Sequence, residues 1–238
     1  MKLGWRKVRR LAGALALVFC MTAIGHGQAG GETGAGTAGT EPRAGGDQII
    51  MDILDEDALL LVQRVDGRDV VRVLGRSQVR HRQRTAWANE LEYDEGAGRA
   101  VMRGDVELVD EGDEPLNVVA GYLELDLDTE AALARGNVRF VRGDGRGRAD
   151  ELHYGEYAQL QPVIAAELAA RRTNAAAVQA FLADFLPEDR VLVLIGNVDM
   201  QEGDREFAAE FVVINTRNEA LLSVGRSAAR LPGPADEP

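Results

Sequence analysis

The chain has 238 residues, 45% of them apolar and 28% charged, which is room for one large domain or two small ones and excludes wholesale disorder. The formal charge of −12 is unevenly placed: five of the 27 basic residues and no acid lie in the first 29 positions, so 22 stand against 39 acidic residues beyond them, or −17. A body that acidic is a poor nucleic-acid binder, and with no lysine after Lys7 it holds no P-loop lysine, Schiff-base lysine or Ser-Lys dyad.

In chain order, residues 1–29 read as an export signal. Lys2, Arg6, Lys7, Arg9 and Arg10 form a basic start, and Leu11 to Gly25 is an uncharged apolar stretch, shorter than the roughly 20 residues of a membrane-spanning helix. Small residues allow cleavage after Gly25 or Ala29; an uncleaved, tilted anchor is the alternative. The sole cysteine, Cys20, lies in this segment behind Phe19, so a cleaved chain has neither disulfide nor thiolate metal site. Residues 30–46, rich in Gly, Thr and Ala, read as a flexible linker.

From residue 47 the chain repeats itself. Ala88-Asn-Glu-Leu91-Glu-Tyr93-Asp94 aligns with Ala120-Gly-Tyr-Leu123-Glu-Leu125-Asp126, with Ala149-Asp-Glu-Leu152-His-Tyr154-Gly155 and with Ala209-Glu-Phe-Val212-Val-Ile214-Asn215. Each copy leads to a glycine, a polar residue and an alternating strand: Gly104-Asp105-Val106, Gly136-Asn137-Val138, Gly196-Asn197-Val198 and a worn Gly225-Arg226-Ser227. The alanine-to-glycine spacing is 16 residues in three copies and 47 in the third, and a degenerate first copy runs from Ala58 through Gly75. Two alternating strands per repeat predict stacked β units over residues 47–231, with a tail at 232–238. The excess in the third copy, about 157–189, holds two Ala-rich runs of helical period around Thr173-Asn174, which predicts a two-helix hairpin, with Pro162 in the first turn of its first helix.

These repeats resemble the OstA-like family, the domain of the lipopolysaccharide-transport proteins LptA and LptC and of the N-terminal part of LptD. Ala149-Asp150-Glu151-Leu152-His153-Tyr154 and Gly136-Asn137-Val138 carry the likeness most closely, and it extends from about Ala58 to Arg230; the helical insert departs from it. The resemblance implies an all-β fold, an open antiparallel β-jellyroll bent like a taco, here with a two-helix insertion. It implies a periplasmic, non-enzymatic bridge that carries lipopolysaccharide between inner and outer membranes. The implied partners are lipopolysaccharide or a related acyl glycolipid, further copies head to tail, and inner- and outer-membrane proteins with similar domains.

Strand alternation puts Leu91, Tyr93, Val106, Leu108, Leu123, Leu125, Val138, Phe140, Leu152, Tyr154, Val198, Met200, Val212 and Ile214 on one apolar face, the candidate lipid site. The same pattern serves a closed core. Arg80, Arg82 and Arg84, at the end of a cluster that includes Arg72 and Arg76, fall at alternate positions and are candidates for an anionic headgroup; a solvated face balancing nearby acids is the alternative. The ends near Ile49–Leu61 and Phe211–Val224 are candidate docking edges. His81 and His153 sit in no ligand or catalytic spacing, and no GxSxG is present, so neither enzyme, metal nor cofactor is expected. A lipid-free envelope scaffold and an LptC-like anchored partner remain as alternative functions.

Overall fold

The structure, a computed structural model, describes residues 17–18, 49–112, 115–171 and 173–230. The expected signal and linker therefore lie outside the described residues except for Leu17–Val18, and the tail lies outside them altogether. The strands are β1 (Leu17–Val18), β2 (Ile49–Ile53), β3 (Leu59–Val65), β4 (Arg68–His81), β5 (Arg84–Asp94), β6 (Arg99–Asp110), β7 (Leu116–Asp126), β8 (Ala132–Arg142), β9 (Gly145–Glu156), β10 (Arg190–Glu202), β11 (Arg205–Asn215), β12 (Leu221–Val224) and β13 (Ala228–Arg230). They form one antiparallel sheet in the order β1-β2-β4-β5-β6-β7-β8-β9-β10-β11-β12, with β3 on the other half of β4 and β13 on β11. The all-β open sheet with a two-helix insertion is the architecture expected.

The repeated motifs are the two sides of one bend. The register slips at mid-strand in every long pair, for example between Trp87 and Glu90 on β5 and between Arg103 and Val106 on β6. On β6, β8 and β10 the extra residues are Gly-Asx pairs, and both members take left-handed backbone: Gly104 and Asp105 at φ 74° and 46°, Gly136 and Asn137 at 81° and 53°, Gly196 and Asn197 at 73° and 46°; on β4 they are Gly75-Arg76, where only Gly75 has a positive φ, 131°. Glycine adopts this region without penalty, and Asn and Asp tolerate it best among the rest. Opposite Gly104-Asp105 stands Ala88-Asn89 of β5 and opposite Gly196-Asn197 stands Ala149-Asp150 of β9, and a bond crosses each break: Asn89 Nδ2 donates to Asp105 Oδ2 at 3.1 Å, and Asn197 Nδ2 to Asp150 Oδ2 at 2.8 Å. A row of such bulges bends the sheet from β4 to β11.

Gly196 tests this reading. A Cβ there would stand 2.4 Å from Asp150 Oδ2 on a left-handed backbone, whereas one at Gly143, also left-handed, would meet nothing within 4 Å. Gly196→Ala is expected to lose about 2–3 kcal/mol in urea denaturation and Gly143→Ala about 1. Equal losses would show that the bend does not depend on close approach.

Bending brings the two halves of each strand face to face over one apolar core. Ala86 and Ala88 before the bend of β5 join Leu91 and Tyr93 after it, and Ala132 and Ala134 of β8 join Val138 and Phe140. A second core lies on the outer surface. Helices α1 (Tyr157–Ala170) and α2 (Ala175–Leu182) leave the sheet between β9 and β10. Tyr157, Leu160, Ile164 and the following Phe185 cover Val191, Val193, Phe211, Val213 and Val224. β10 and β11 are thus buried on both faces, which is why Val191-Leu-Val-Leu-Ile195 is a continuous apolar run.

Three expectations are corrected. Pro162 lies inside α1, not in its first turn, because the helix starts at Tyr157, whose N–H bonds the Asp189 carbonyl while that of Ala158 bonds Pro187. Of the edge expected at Phe211–Val224, Phe211–Asn215 is covered by β12 and β13, and only β12 (Leu221–Val224) ends the sheet order. Arg80, Arg82 and Arg84 do not alternate along one strand: β4 ends at His81, Arg82 and Gln83 form the turn with Arg82 at φ 54°, and Arg84 opens β5 opposite His81.

Candidate functional site

The bend places all fourteen candidate lipid-site residues on the inner face. Thirteen are buried members of the inner core, and Met200 packs against it half-buried. The interior is mostly aliphatic and filled by its own side chains. It extends beyond these fourteen residues. Ala100, Met102, Leu116, Val118, Leu192 and Leu194 share the same face. They precede the Gly-Asx or Ala-x-x break, and the signal that finds them is apolar alternation resuming on the same face across the break. Two of the fourteen, Tyr93 and Tyr154, carry hydroxyls. The Tyr93 hydroxyl is buried with no hydrogen-bond partner among the described residues, and burial, then the charges of Glu95, Asp128 and Asp94, push it up to about 12.

The bent sheet has two rims of turns, which meet along a seam above this interior. The β4–β5 turn and Arg142 belong to one rim, and the β7–β8 turn, the segment before β10 and the β11–β12 turn belong to the other. Among the described residues no strand pairing joins the rims; side chains do. Arg82 pairs with the Glu130 carboxylate, Arg84 Nη1 donates to the Glu130 carbonyl at 2.5 Å, and Arg142 Nη2 donates to the Thr216 carbonyl at 3.1 Å. Arg190 Nη2 holds the second Glu130 oxygen at 2.5 Å.

A cavity of about 730 Å³ lies in the seam, lined by Arg82, Arg84, Glu130 and Arg190 and by Asp110, Tyr154, Asp189 and Arg217. Arg84 lies over the Tyr154 ring at 5.6 Å and donates from Nε to Asp110 at 2.7 Å, with side chains only 11% and 9% exposed. Asp189 accepts from the Leu186 N–H and from Asn215 and pairs with Arg217. Arg82 and Arg84 therefore do converge, joined by Arg190 and Arg217, which no local pattern links to them. Arg80 faces elsewhere and pairs with Asp52, as Arg72 does with Glu92, which fits a solvated, charge-balanced face.

Ionisation strengthens the seam. Burial opposes the charge on Glu130, but the Arg82 hydrogen bond and the nearby Arg190, Arg84 and Arg82 charges outweigh it and hold the carboxyl below the ordinary carboxylate value. Burial opposes Asp189 likewise, and the Leu186 N–H, Asn215 and Arg217 outweigh it. Below α1, burial pushes His153 down against the raising effect of Glu151, to whose carboxylate its Nε2 is bonded at 2.5 Å. All three shifts have one sign: the unfolded chain binds more protons, so stability is full at neutral pH and falls with acidification. His153 contributes to the loss just below its ordinary 6.5, and Glu130 and Asp189 below 4.5 and 3.8. Urea denaturation between pH 3 and pH 7 is expected to show this fall, reduced at its acid end in Glu130→Gln; a Glu130→Gln profile parallel to the parent's would contradict it.

No family model and no curated protein matches the sequence. Among solved structures the chain is similar to LptH, the LptA-homologous periplasmic component of the lipopolysaccharide transport device of Pseudomonas aeruginosa. Identity is 14%, with 63% of this chain and 95% of that one covered and a TM-score of 0.44. At that score the likeness carries no argument about function.

Proposed function

We propose that this chain is a non-enzymatic carrier of acyl lipid in the periplasm, passing lipopolysaccharide between the inner and outer membranes. The observation that supports it best is one apolar face, running from β4 to β11, folded on itself and closed along the seam by side chains alone. Side-chain contacts part without unpairing a strand. Each acyl methylene moved from water to such an interior gains about 0.8 kcal/mol, so ten gain about 8 before losses. Arg82 and Arg84, with Arg190 and Arg217, supply charge at the mouth for an anionic headgroup.

Strand addition supplies the bridge. β3, which among the described residues pairs only with β4, carries exposed Leu59, Leu61, Val62 and Val65, which suits pairing with a further copy or with a similar domain of a membrane protein. Sequencing the mature N-terminus separates a released carrier from an anchored, LptC-like one.

The filled interior favours a second reading, a lipid-free envelope scaffold. Mass spectrometry of lipid extracted from thoroughly washed protein, made in a lipopolysaccharide-producing host, separates the two. Stoichiometric lipid A supports the carrier; no lipid, with no binding of added lipopolysaccharide, supports the scaffold.

A further inference from the structure

Three arginines, two at the β4–β5 turn and one from the start of β10, gather around Glu130. Arg82 and Arg190 each take one oxygen of its carboxylate, and Arg84 reaches its backbone carbonyl. Glu130 holds this place on a left-handed backbone at φ 59°, which a non-glycine residue adopts at a cost. The set of donors is larger than a carboxylate can use. Arg190 lines the seam cavity, and its Nη1 is buried with no hydrogen-bond partner among the described residues. An orphaned nitrogen on a guanidinium that lines a cavity marks a missing acceptor.

The other carboxylates of the cavity do not fill that role: Asp110 is taken by Arg84 and Asp189 by Arg217, and Glu188 is exposed. A phosphate monoester has three terminal oxygens and a charge of about −1.5 to −2, so it matches three arginine forks better than one carboxylate does.

We propose that Arg82, Arg84 and Arg190 form a binding site for a phosphate monoester, and that Glu130 occupies it as an internal stand-in until the ligand displaces it. Because Glu130 belongs to one rim and Arg82 and Arg84 to the other, the exchange also releases one tie across the seam. The site rests on the carrier reading only for the source of the phosphate: a glycolipid headgroup carries one, and so does free phosphate.

The test is calorimetric titration of the full chain with inorganic phosphate and, separately, with dodecyl phosphate, for the parent, Glu130→Gln, Arg190→Gln and Arg190→Lys. Removing the stand-in charge is expected to tighten inorganic phosphate about tenfold. Arg190→Gln is expected to weaken it about tenfold, with Arg190→Lys between, since it keeps the charge and loses the fork. The urea midpoint of each variant shows that it is folded, and Glu130→Gln is the deciding variant because it keeps the side chain's shape. Inorganic phosphate bound no tighter by Glu130→Gln than by the parent overturns the site. If dodecyl phosphate then still binds, the carrier reading survives without it. If inorganic phosphate behaves as expected and dodecyl phosphate binds no tighter, the site stands and the acyl interior fails.

Discussion

Phe211→Ala is expected to destabilise the protein by about 3–5 kcal/mol. Phe211 is fully buried on the outer face of β11, where it meets α1 and α2 through the second core, with the Arg171 guanidinium 5.1 Å from its ring centre. Truncation leaves a cavity between two layers that cannot easily close, because Val191, Val193 and Val213 around it are fixed by strand pairing. The loss is not expected to be uniform. The helices touch the sheet mainly through this core, so the hairpin should become sensitive to protease within residues 157–189 at urea concentrations where the sheet persists. Circular dichroism midpoints and limited proteolysis measure the two parts. A loss below about 1 kcal/mol with an intact hairpin would mean that the insert is held elsewhere.

The second large effect belongs to the seam. Arg84→Leu should cost about 3–5 kcal/mol, because it leaves Asp110, which is 9% exposed, without its cation. The apolar pair Arg84→Leu with Asp110→Leu should recover most of that loss, because two charges no longer have to be desolvated. A double-mutant cycle by urea denaturation reads the coupling directly. Additive effects would show that the two side chains are neighbours without being partners. The same double variant should retain the fold while weakening headgroup binding, which separates the stabilising contribution of Arg84 from its ligand contribution.

Much of the fold was legible because its bends are written locally. Gly-Asx needs consecutive left-handed residues, and Ala-x-x answers it on the next strand, so each copy of the motif marks a bulge. Thr173-Asn174 was legible as the break between two helical runs, and there the Asn174 side chain accepts the Ala177 N–H. The arginine turn was not legible. Arg82-Gln83 has none of the Gly, Asn, Asp or Pro chemistry that announces a two-residue hairpin, so Arg80, Arg82 and Arg84 read as one alternating strand. The seam was invisible for a different reason. Arg84 and Glu130 are 46 residues apart and Arg142 and Thr216 are 74 apart, and sheet curvature, not any local pattern, brings them together. The edge expected at Phe211–Val224 was drawn too wide because β12 and β13, four and three residues long, are too short to show alternation.

The central claim is that acyl chains enter the folded apolar face. Replacing leucine throughout with its diazirine analogue, which preserves packing, puts photoreactive groups inside at Leu91, Leu108, Leu123, Leu125 and Leu152 and outside at Leu54 and Leu186. After loading with lipopolysaccharide and irradiation, peptide mass spectrometry reads which leucines carry acyl adducts. The carrier account predicts adducts on the inner leucines, with Leu186 unlabelled. Bound lipid with adducts confined to Leu54 and Leu186 would contradict it.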